Sequence, residues 1–138
     1  METLKIMIEA SKHIQSVYIN NVWTTMGAFL VAFGWLLTSA EARKYIKEHR
    51  SLLSYSKTIV VSLFIIHAVV LGKSWCDSYL LITEMEKVAK LIDPPPNDIL
   101  ITLYEIPWYW PVSSLIINGF IATLLLKKLQ LLKGLKET

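Results

Sequence analysis

Hydrophobic and polar positions along the chain alternate in blocks: three helix-length apolar stretches separated by charged ones. The cleanest is 21–40, NVWTTMGAFLVAFGWLLTSA, 20 residues with no ionisable side chain. That is about the length a helix needs to cross ~30 Å of hydrocarbon. The second is 58–72, the apolar centre of the longer run Leu52–Gly72, in which ten residues between Ile59 and Leu71 are Ile, Val, Leu or Phe. At about −0.3 to −0.6 kcal/mol each, they favour insertion by roughly 3–6 kcal/mol before the cost of His67. The third is 107–126, opening on Trp108, Tyr109 and Trp110 before Pro111, an interfacial aromatic belt with proline in the first helical turn.

The intervening segments also have helical periodicity. Residues 2–20 carry Leu4, Met7, Ile8, Ser11, Ile14 and Tyr18 along one side, a moderately amphipathic helix. The mixed charge of this segment argues against a cleaved signal peptide. The basic stretch 41–57 has no Gly or Pro; it is expected to extend the first helix before turning near Ser51, a capping residue. Over 74–92, Leu81, Met85, Val88 and Ile92 recur at steps of four, three and four, a seam suited to another helix, with 2–20 the nearest partner. Pro94, Pro95 and Pro96 end that helix in a turn over 93–98. The tail 127–138 interleaves Lys127, Lys128, Lys133 and Lys136 with leucines and continues the last helix.

On a helical wheel the first span divides into two faces. Met26, Phe29, Leu30, Phe33, Leu36 and Leu37 form a bulky face. Thr24, Gly27, Ala28, Val31, Ala32, Gly34 and Thr38 form a mostly small one, with Trp35 among them. Helices in lipid associate by close van der Waals fit, so the small face is expected to pack against a neighbour or a second copy and the bulky face to meet acyl chains. Small residues recur four apart at Ala68 and Gly72 as well. The expected fold is therefore an all-α integral membrane protein, a single membrane domain over 1–138 with three spans and amphipathic helical extensions.

Composition agrees. Of 138 residues, 54% are hydrophobic and 18% charged, against a globular norm of about 25% charged, and mean hydropathy is +0.46. The net charge of +3 conceals a segregation: nine Lys or Arg fall in 41–58 and 127–138, and five fall in 1–21 and 73–107. The positive-inside rule then places the N-terminus outside and the C-terminus in the cytoplasm, in a plasma or inner membrane. The single cysteine, Cys76, allows no disulfide within the chain.

Polar chemistry in the spans is sparse. His67 lies near the middle of the second span and Asn118 near the middle of the third, on a face with Ser114. Antiparallel packing brings His67 and Asn118 to similar depth, and we expect a hydrogen bond that fixes helix register, worth about 0.6–2 kcal/mol. His13, His49 and His67 fall in separate regions, so no metal site or other cofactor is expected. No phosphate-cradling or nucleophile-elbow motif occurs. The basic residues hug the spans, which disfavours nucleic acid. The expected function is non-catalytic: a small polytopic protein that oligomerises or scaffolds a membrane complex, with the bilayer, itself or another membrane protein as partner. The alternative is a homo-oligomeric pore. Three spans, an outer N-terminus and a basic inner tail are similar to the layout of some phage holins, a likeness of layout with no shared motif.

Overall fold

A computed structural model describes residues 2–91 and 105–134. These residues form four helices and no strand: α1 Glu2–Thr38, α2 Ala40–Glu48, α3 Arg50–Ala89 and α4 Tyr109–Gly134. Three of them, α1, α3 and α4, are long and apolar enough to cross a membrane. At ~1.5 Å per residue, α1 and α3 reach about 55 and 60 Å, well beyond one hydrocarbon thickness. The amphipathic segment 2–20 and residues 21–38 of the first span thus share one helix, as do 58–72 and most of 74–92, because no proline interrupts either run. The turn expected at 93–98, with its three prolines, lies outside the described residues.

The basic stretch departs from expectation. It does not extend α1, which stops at Thr38. Ser39 leaves helical geometry (φ −87°, ψ 107°) and its hydroxyl accepts the Ala42 N–H, capping a separate short helix, α2. The Arg43 guanidinium donates to the carbonyls of Leu36, at 3.0 Å, and Leu37. It thereby satisfies the orphan acceptors at the end of α1. α3 follows after His49, so Ser51 lies inside a helix rather than capping one.

The chain divides into two compact units. The first comprises 1–22 and 69–113. Its core holds Leu4, Ile82, Met85 and Ala89, with Met7, Ile8, Leu81 and Val88 packed against it. The expected seam therefore meets the expected partner helix, but its centre is displaced. Met85 is fully buried, Leu81 and Val88 flank it half-buried, and Ile92 lies outside the described residues. The buried line on α3 is Leu71, Ser74, Ser78, Ile82, Met85 and Ala89. Two of its members are serines, which a search for apolar periodicity passes over. Ser78 Oγ accepts the Ile106 N–H at 3.2 Å, fixing the approach to α4, and Tyr18 of α1 stacks on Trp110 with centroids 6.2 Å apart.

The second unit comprises 23–68 and 114–138. Its core contains Phe29, Leu36, Ile46, Leu53, Val60, Ala122, Leu125, Leu129 and Leu132. Spacings of seven on α1 and α3, and of three and four on α4, are those of left-handed helix packing. This core corrects the reading of α1's faces. Phe29 and Leu36 point inward, Ala32 and Phe33 flank them, and only Leu30 and Leu37 of the bulky set are strongly exposed. Thr24, Ala28 and Thr38 are exposed, and a Cβ at Gly27 or Gly34 would meet nothing within 4 Å. Within the second unit, α1 therefore turns part of its bulky side, with Ala32, towards the core. The close approach occurs elsewhere, at Gly119 of α4, where a Cβ would lie 3.3 Å from the Phe64 ring.

Candidate functional site

The second unit is almost wholly apolar inside, so its one buried polar pair stands out. His67 and Asn118 are each 1% exposed. Asn118 Nδ2 lies 3.0 Å from His67 Nε2. His67 sits seven residues after Val60 on α3, and Asn118 four before Ala122 on α4, so each occupies a core position of its own helix. Register does the rest. The pair and the neighbouring Gly119–Phe64 contact match α3 with α4 antiparallel, 67 with 118 and 64 with 119.

In this orientation the amide donates and the imidazole accepts, which requires a neutral ring protonated on Nδ1. Asn118 Oδ1 is buried with no hydrogen-bond partner, which costs about 1–3 kcal/mol for a neutral acceptor. The arrangement is therefore a buried polar contact between two helices with one orphaned acceptor, and Ser114, one turn earlier, is only half-buried. No Asp, Glu, Lys or Arg occurs in 58–72 or 107–126.

Other hydroxyls in the apolar helices are satisfied locally. Thr38, Thr58 and Thr123 donate to the carbonyls of Gly34, Ser54 and Gly119 four residues back, at 2.8, 3.1 and 2.7 Å. Such bonds let an outward-facing threonine sit in an apolar surround without an unmet donor. Among the described residues no group of three or more His, Cys, Asp or Glu could hold a metal ion. Cys76 is free and exposed.

The sequence pointed to His67, Asn118 and Ser114, and the structure joins the first two. It does not gather Thr24, Gly27, Ala28, Gly34 and Thr38 onto a partner helix of the same chain. It adds Ser11, Ser74 and Ser78 as buried polar positions; extending the 81–92 seam backwards in steps of three and four would have reached both α3 serines. Comparison with known protein families, with curated proteins and with solved structures finds no match to this chain.

Proposed function

We propose that the chain is a small non-catalytic membrane protein that assembles with itself or scaffolds a membrane complex, its N-terminus outside and its C-terminus cytoplasmic. The observation that carries this reading is the outer surface of the second unit. Val31, Trp35, Ile59, Ile65, Ile66, Ile116 and Phe120 are 55–73% exposed, while Phe29, Leu36, Leu53, Val60 and Leu125 already form the interior. Water penalises such a surface by about 25 cal/mol per Å² of apolar area; acyl chains or a second protein do not. Thr24, Ala28, Val31, Trp35 and Thr38 recur at steps of four and three and are all exposed. That second, outward seam of α1 supports the assembly part of the reading.

Orientation is testable with the native thiol. A membrane-impermeant maleimide should label Cys76 in intact cells, and should label a Lys47→Cys, Cys76→Ser variant only after permeabilisation. The reverse pattern overturns the orientation, and a chain that remains dispersed in buffer without detergent overturns the membrane reading. Self-assembly is read by crosslinking in liposomes, where strict monomers at high protein density would remove the homo-oligomer. A pore would release trapped dye from the same liposomes.

A further inference from the structure

A groove of about 310 Å³ runs between α3 and α4 on the outside of the second unit. That volume is at the lower end of small-molecule sites, ~300–1,000 Å³. Val60, Val61 and Phe64 form one wall and Leu115, Ile116 and Leu126 the other, with Gly119 and Thr123 along its length. Gly119 forms the floor because any side chain there would press on Phe64. Thr123 turns its hydroxyl back onto the Gly119 carbonyl, leaving its methyl to the groove. From Leu115 to Leu126 the helix rises about 16 Å, half of a ~30 Å hydrocarbon core and so the depth of one leaflet.

One end of this groove is basic. Lys57 lies one turn before Val60 and Val61, and Lys127 one turn after Thr123. The antiparallel register set by His67–Asn118 and Phe64–Gly119 brings Lys57 level with residues 126–128. Lys57 is half-buried and Lys127 exposed, the posture of lysines whose stems lie on apolar surface and whose ammonium groups reach outward. Neither forms an ion pair among the described residues. Acyl-chain lining over one leaflet depth, closed at one end by two unneutralised ammonium groups, is complementary to a single kind of occupant.

We propose that the α3–α4 groove holds one anionic phospholipid, its acyl chain along Val60, Phe64, Leu115 and Leu126 and its phosphate between Lys57 and Lys127. This rests on the membrane reading above and adds a specific lipid site to it.

The test is native mass spectrometry of the full chain in mild detergent with equimolar phosphatidylglycerol and phosphatidylcholine. The expected result is one retained phosphatidylglycerol per chain, preferred about thirtyfold, the combined effect of two lysines near a headgroup. A Lys57→Gln, Lys127→Gln variant should fall towards parity between the two lipids. Thr123→Phe, filling the groove from an exposed position, should lose both adducts while keeping its helical circular dichroism. Lys47→Gln, away from the groove, should match the wild type. Parity in the wild type, an undiminished preference in the double lysine variant, or a retained adduct in Thr123→Phe overturns the proposal. So does a dimer that excludes lipid and is lost in Thr123→Phe, which would assign the groove to a second copy. A chain needing detergent but showing no preference sinks the lipid site alone; one needing no detergent sinks the membrane reading.

Discussion

The two units of this chain are built alike inside and oppositely outside. In both, buried positions recur at three, four and seven. In the first, Lys73 pairs with Asp77, and Lys87 with Glu84 at 2.6 Å, on exposed faces. Among the described residues of the second, Lys47, Lys57, Lys127 and Lys128 make no ion pair, and Lys44 reaches Glu48 only at 3.9 Å. The first unit's segments hold eight acidic and five basic residues, the second unit's three and nine. The difference teaches that the seam is indifferent to the charge around it: which residues meet another helix follows from spacing. What surrounds the helices is recorded by the residues that meet nothing.

The comparison is best broken by substitutions matched across it. The largest effect is expected in the second unit's core. Phe29→Ala should cost about 3–5 kcal/mol, whereas Val31→Ala, at a position 73% exposed, should cost less than about 0.5 kcal/mol. Reversible denaturation in mixed micelles, followed by circular dichroism, reads both, and the opposite ranking would restore the small face of α1 as its packing face. Next come two equally exposed positions on α3. Ile65→Asp, in the second unit, should cost about 2.5–3.5 kcal/mol of insertion free energy. Leu80→Asp, in the first, should change stability by under about 0.5 kcal/mol. An insertion assay that found equal costs would erase the distinction between the units.

The polar pair sharpens the comparison at smaller scale. His67→Leu leaves the whole Asn118 amide buried without a partner and should cost about 1–3 kcal/mol. Asn118→Leu should cost less, because it also removes the orphaned Oδ1. The double variant should approach the wild type, with a coupling of about 0.6–1.7 kcal/mol. Independent effects would show that the pair does not set register. Smallest of all, Lys87→Gln in the first unit should change the denaturation midpoint by no more than about 0.5 kcal/mol at low salt, and less as salt rises.

Much of this architecture was legible in the residue order. The three apolar stretches, the helix over 2–20, its meeting with the 81–89 region and the His67–Asn118 pair all follow from period, length and depth. The break at Ser39 was not legible, because a serine within a breaker-free run looks like any other until its hydroxyl takes the Ala42 N–H and Arg43 closes the preceding helix. The inward turn of Phe29 and Leu36 was hidden for a related reason. A wheel separates bulky from small residues, but it carries no information on how far away the neighbouring helix lies.

What the amino-acid order alone determined is where helices exist and which stretches exclude charge, since both depend on local spacing and on transfer of single side chains. What only the tertiary structure decided is which face of each helix turns inward and which distant side chains meet. Those choices depend on which side chains meet across the chain, as where the Phe64 ring lies against Gly119, 55 residues away in the sequence, leaving no room there for a side chain.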